Sequence, residues 1–264
     1  MLKAEFSKMI KNKKFVIIAI ALFLITIPDL FYNWWEVLYP PHFTGWEWVT
    51  HSCKAAFLSA NSLGHIPQIV INWLLPIILL IMGCDSANRE KKLGIKNIYL
   101  VKENRRKYYN TKLAVSFSVP AIMFFLICII NWILSIAIFR TGSSFAGLEQ
   151  HVTPENYPTL YYQFNHPFET YFCYILLFSF ATGLCGLMCQ ALSLLITDIK
   201  KVYLLSFVIW FVQLSVPPFL ANALQPFTET SMANTFFGIL RFALTVFVIV
   251  IICLLVKRKN KNEI

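Results

Sequence analysis

Six long apolar runs mark the chain, at residues 15–34, 66–84, 113–139, 171–197, 202–220 and 236–256. A helix needs about 20 apolar residues to cross the ~30 Å hydrocarbon core of a bilayer, and each run is close to that length or longer. Lipid offers backbone groups no hydrogen-bond partner, so such runs cross as helices. The third carries Pro120 and is expected to tilt, kink or protrude. Ahead of the first run, Leu2, Phe6, Met9 and Ile10 recur at helical spacing while Lys3, Lys8 and Lys11 face elsewhere. Residues 1–14 are therefore expected to form an amphipathic helix lying in the membrane interface. The pattern predicts an all-α integral membrane protein: six transmembrane helices in one domain spanning 1–264, preceded by that interfacial helix.

Composition excludes a water-soluble alternative. Hydrophobic residues make up 58% of the 264 positions and charged ones 14%, with 24 Phe; an ordinary globular chain is about 25% charged. No small-residue cleavage site follows the first run, so it is expected to remain as a span rather than be removed as a signal. Trp34 and Trp35 read as an interfacial aromatic belt.

The net charge of +10 is a matter of placement. Five Lys stand before the first run, nine Lys or Arg in 85–112, two at Lys200 and Lys201, and four from Lys257 to Lys261. Those basic residues share one side of the membrane. Lys54 and Arg140 fall on the opposite side, which carries Asp29, Glu36, Glu47, Glu149, Glu155, Glu169 and Glu229. The bias predicts both termini and the 85–112 loop in the cytoplasm of a bacterial cell, and gives nucleic acid no role.

Catalytic signatures are missing. There is no H-E-x-x-H, no G-x-S-x-G and no Gly-Lys dipeptide, hence no phosphate loop. The expectation is no catalytic residue, no metal site and no enzyme activity in this chain. Six Cys (84, 128, 173, 185, 189, 253) lie in or beside apolar runs and read as small hydrophobes, whereas Cys53 stands in a polar loop. The five His read as wet interfacial groups.

Residues 85–112 mix dense charge with Leu93, Ile95, Ile98, Leu100 and Val101. Topology alone does not require those apolar side chains; a short amphipathic helix docked on a partner or on headgroups does. Gly94 allows a break.

Here the residues resemble a family. An amphipathic start, a span, a long outer loop, a second span ending at Asp85, then Glu90, Gly94, Arg105 or Arg106, and Lys112 look like the permease subunit of type-2 ABC transporters, mostly bacterial exporters. Ile95 stands where that family has Thr, and no Pro precedes the arginines. The resemblance implies a cytoplasmic coupling helix between spans two and three. Asp85, Glu90, Leu93, Gly94, Ile98, Leu100, Arg105, Arg106 and Lys112 would then meet a separate cytosolic ATPase that holds ATP and Mg. It also implies a second permease chain, identical or homologous, with an amphipathic or antimicrobial peptide among the cargoes; drug, lipid and glycan precursor stand as alternatives. The rival classes are a membrane-embedded enzyme and a scaffold that transports nothing.

Polar residues inside the runs need partners. Asn72 and Asn131 read as helix–helix glue, and Arg241 either snorkels to the outer headgroups or pairs with Asp29. Ser179, Gly183 and Gly186 give small-residue spacing, used within the chain or at a dimer seam. The outer loops 35–65 and 140–170 hold Trp46, Trp48, Tyr161, Tyr162 and Phe164. They either cap a pathway or rest on headgroups.

Overall fold

A computed structural model describes residues 1–31, 50–59, 66–95, 98–99, 104–145 and 148–259. It is almost wholly helical, with no strand beyond a single bridge, Thr50 to Ser144, among those residues. In chain order the helices are α1 (Leu2–Ile10), α2 (Lys13–Ile25), α3 (Ser52–Ala55), α4 (Ile66–Leu79), α5 (Ser86–Lys92), α6 (Arg105–Ile138), α7 (Pro158–Asn165), α8 (Pro167–Leu195), α9 (Ile199–Ser215) and α10 (Met232–Lys259). Five stretches are long and apolar enough to cross a membrane: Lys13–Phe31, Ile66–Cys84, α6, α8 and Met232–Arg258. The protein is membrane-embedded.

The fifth run, 202–220, is cut short. Its helix α9 has 17 residues, about 26 Å at 1.5 Å per residue. Val216 turns extended (φ −109°, ψ 133°) because Pro217 follows it, and the residue before a proline is forced from the helical region. The third run gains at its other end. Asn104 accepts the Arg106 amide at 3.0 Å, and this cap starts α6 eight residues before the apolar stretch begins. Lys112 therefore lies in the third turn of a helix and not in a loop.

α6 and α8 form the central pair. A Cβ on Gly186 would stand 2.2 Å from the Ser116 carbonyl and 3.0 Å from the Pro120 ring. Pro120 cannot donate to that carbonyl, so the α8 backbone closes over a kink-prone turn, where the Cys84 thiol also points (3.9 Å). Gly183 meets the Phe117 ring on the same face. Small-residue spacing thus serves contact within the chain. The Ser179 hydroxyl bonds back to Ile175 at 2.7 Å.

Pro76 leaves the Asn72 carbonyl without its helical donor, and the buried Trp210 indole N–H of α9 takes that place at 2.6 Å. Asn72 therefore joins helices through its main chain. Asn131 does so through its carboxamide, which accepts the Phe57 amide at 2.9 Å and donates to the Thr26 carbonyl at 3.1 Å. Arg241 turns toward the end of α9. It donates to the Gln213 side chain (2.8 Å), the Gln213 carbonyl (2.9 Å) and the Pro217 carbonyl (2.8 Å), capping the C-terminus of α9 where orphan carbonyls favour a cation.

Residues 51–59 also depart from the expected outer loop. They insert between α6 and α8, with Cys53, Phe57 and Leu58 fully buried. Ser135 donates to the Ser52 carbonyl (2.6 Å), and the Leu58 amide donates to the Tyr171 hydroxyl (3.0 Å). His51 is no wet surface group: it stacks on Phe145 at 4.9 Å, and its Nδ1 accepts the Cys53 amide. Phe145 continues to Phe164 (4.6 Å) and Phe227 (4.9 Å), an aromatic cluster that closes this end of the bundle. Tyr161 and Tyr162 stay exposed, and Cys173 is exposed rather than packed. Trp34, Trp35, Trp46 and Trp48 lie outside the described residues.

Candidate functional site

At the opposite end of the bundle, α4 winds into a π turn over Leu80–Cys84 and breaks at Gly83 (φ 130°). That left-handed geometry suits glycine, and the break swings α5 across the ends of α6 and α8. Polar contacts seat α5. Asn88 donates to the Ile196 carbonyl (3.0 Å), the Ser86 hydroxyl to Gln190 Oε1 (3.2 Å), and the Ser193 hydroxyl to the Asp85 carbonyl (3.3 Å). Asp85 pairs with Arg89 one turn on.

The centre of this region is Glu90. Its Oε1 accepts the Lys112 ammonium at 2.6 Å and also Lys8; its Oε2 accepts the Tyr108 hydroxyl at 2.8 Å. Lys112 donates a second bond to Glu5 Oε2 at 2.7 Å, and its ammonium stands 5.6 Å from the Tyr108 ring centre. Glu5, Glu90, Lys112 and Tyr108 are all buried, while half of the Lys8 side chain meets solvent. The order Lys8, Glu90, Lys112, Glu5 alternates in sign and ties three helices together: α1, α5 and α6.

Such charges survive burial only when paired and hydrogen-bonded. Burial pushes the Glu90 carboxyl up, but Lys112, Lys8 and Tyr108 outweigh it and hold the group below its ordinary value. Burial likewise pushes Lys8 down, and its bond to Glu90 carries it above its ordinary value. Both groups are thus held ionised. A cavity of about 200 Å³ lies beside the cluster, walled by Glu5, Lys8, Gly83, Arg89, Glu90 and Lys112. Its charges balance once the Asp85–Arg89 pair is included. The arrangement resists relative motion: shifting α5 against α6 means parting charge-assisted bonds in a low-dielectric setting.

Two of the expected site residues, Glu90 and Lys112, meet here. Asp85 pairs with Arg89 beside them. Leu93, at the end of α5, lines the rim of that cavity and is 71% exposed, with Lys91 and Lys92 exposed next to it. Gly94 takes φ +70° and turns the chain, and Ile98 is 57% exposed. Arg105 and Arg106 form the first turn of α6, and Leu100 lies outside the described residues. The helix α5 thus has a clamped face (Ala87, Asn88, Glu90) and an exposed one. Glu5, Lys8 and Tyr108 join the site without having been expected there. Their signals are a lone acid among five lysines, on the Met9 face of α1, and a tyrosine one turn before Lys112.

Among the described residues no group of three His, Cys, Asp or Glu is placed to hold a metal ion. No family model matches the chain. No solved structure matches it. A protein of Bacillus subtilis (strain 168), described as the uncharacterized protein YybM, is 30% identical over 263 residues, 99% of this chain and 100% of its own length. The likeness runs from end to end of both proteins, and the chain belongs to the family of YybM.

Proposed function

We propose that this chain is the transmembrane permease subunit of an ATP-driven exporter of the type-2 ABC kind, working as a pair with a second permease chain. A separate cytosolic ATPase would supply the energy, since the chain contains no phosphate-loop sequence. In this reading α9 is a sixth span, both termini and α5 lie in the cytoplasm of a bacterial cell, and α5 is the coupling helix. The cargo class is an amphipathic peptide or similar amphiphile.

One observation carries the reading. α5 is fastened by the buried Glu90–Lys112 cluster and leaves Lys91, Lys92 and Leu93 exposed at its C-terminal end. A helix so anchored moves as one piece with α1 and α6, and an apolar side chain ringed by cations suits a groove on a partner. The resemblance in residue order points the same way.

The test is copurification from the native host with the chain tagged. A subunit with a phosphate-loop motif and vanadate-sensitive ATP hydrolysis is expected with the native sequence, and Leu93→Asp is expected to lose both. Recovery of no such subunit, or an unchanged complex with Leu93→Asp, overturns the proposal.

A further inference from the structure

At the α7 end of the bundle a second cavity opens between α8 and α10. It has a volume of about 330 Å³, the lower end of the range for pockets that take small organic ligands. Its sides reach from Glu169, in the first turn of α8, to Leu177 eight residues further on, about 12 Å along the helix. Ile239 and Phe236 of α10 face them. Met232 and Phe236, at 55% and 59% exposure, line it on the outer surface of the bundle, so the groove opens sideways.

Its polarity is graded. The Tyr174 hydroxyl is engaged by Gln163 (3.5 Å) and by Thr235, leaving the wall without an unmet polar need there. The charged side chain among the lining residues is the carboxylate of Glu169, 74% exposed at the rim, with His166 Nδ1 at 3.8 Å. The ring of Tyr162 lines the same rim. No lining residue among those described is a cation.

We propose that this groove binds a cationic amphiphile lying in the adjacent leaflet, its tail against Leu177 and Ile239 and its ammonium or guanidinium head at the exposed Glu169 carboxylate, near Tyr162. The charge complement decides the class. A phosphodiester or sulfate head would meet a carboxylate with no Lys or Arg among the lining residues to balance it, whereas a quaternary or primary ammonium gains both the carboxylate and a nearby aromatic ring. The seven acids and two bases on this side of the chain favour the same sign. The inference uses membrane embedding, the groove and the charge bias of this side, so it stands apart from the ATP-driven reading and requires no ATPase for its test.

The experiment uses the full chain in phosphatidylcholine nanodiscs with a diazirine-bearing dodecyltrimethylammonium probe. Adducts are expected within 173–177 and 235–239, displaced by unlabelled dodecyltrimethylammonium and not by dodecyl sulfate. Glu169→Gln, an exposed change that leaves packing alone, should cut labelling about threefold to fivefold, the scale of an exposed ion pair. Glu169→Lys should transfer the preference to a dodecyl sulfate probe. Equal labelling by an uncharged dodecanol probe, with no response to either Glu169 substitution, overturns the proposal.

Discussion

Lys112 reaches Glu90 across 2.6 Å although 22 residues separate them in the chain, and the same ammonium holds Glu5 at 2.7 Å. One cation thereby fixes the amino-terminal helix and the helix that follows the second span to a single point on α6. Each acid is buried, so neither has water to fall back on.

Lys112→Met is therefore expected to destabilise the protein by about 3–5 kcal/mol, the cost of stranding buried charge. Thermal unfolding in detergent measures it. Adding Glu5→Gln and Glu90→Gln to Lys112→Met should recover much of the loss, because the uncompensated charges are gone. A triple variant no more stable than Lys112→Met would contradict the pairing.

The same cluster sets a pH window. Glu90 titrates below its ordinary 4.5 in the folded protein. Its stabilisation is present above pH 4.5 and is lost as pH falls through the lower folded value. Lys8 titrates above its ordinary 10.5. Its stabilisation is present below pH 10.5 and is lost as pH rises through the higher folded value. Unfolding midpoints of the native chain should fall more steeply below pH 4.5 than those of Glu90→Gln, which has no carboxylate to protonate.

His51 gives a third window. Burial lowers its titration below the ordinary 6.5, and its Nδ1 must be unprotonated to accept the Cys53 amide at 3.1 Å. A base depressed by folding stabilises above its ordinary value and loses that contribution as pH falls from 6.5 toward the folded value. His51→Asn keeps a capping acceptor that does not titrate, so its midpoint should be flat between pH 6.5 and 5, where the native chain declines.

Asn131 secures the inserted segment. Asn131→Leu removes the acceptor of the Phe57 amide and the donor to Thr26, leaving two buried backbone groups unmet, each worth about 1–3 kcal/mol. In a Cys173→Ser background, Cys53 is buried in the native segment and should react slowly with a maleimide. Asn131→Leu should raise that rate at least severalfold.

The spans are legible in the sequence because apolar runs of that length form in few settings other than a bilayer. Their ends are not. α6 begins at an Asn104 cap invisible to hydropathy, and α9 stops where Pro217 constrains Val216. Residues 51–59 escape a reading by hydropathy because a short stretch of Ser, Cys and Ala beside Phe57 is too brief for a span, yet those small side chains let it enter the bundle. Glu90 and Lys112 stand out by their order between the second and third runs, but as surface groups. Only the folded chain shows that Glu5 and Lys8 supply their partners, since a contact over 107 residues leaves no local pattern.

The central claim, that α5 is where force enters, is tested most directly by a photocrosslinker at position 93. With p-benzoylphenylalanine replacing Leu93 in native-host membranes, the account predicts one adduct with an ATP-binding subunit, altered in yield by ATP. The same residue at lipid-facing Ile133, 58% exposed, should give none. Adducts with no nucleotide-binding protein, or equal adducts from both positions, would contradict it.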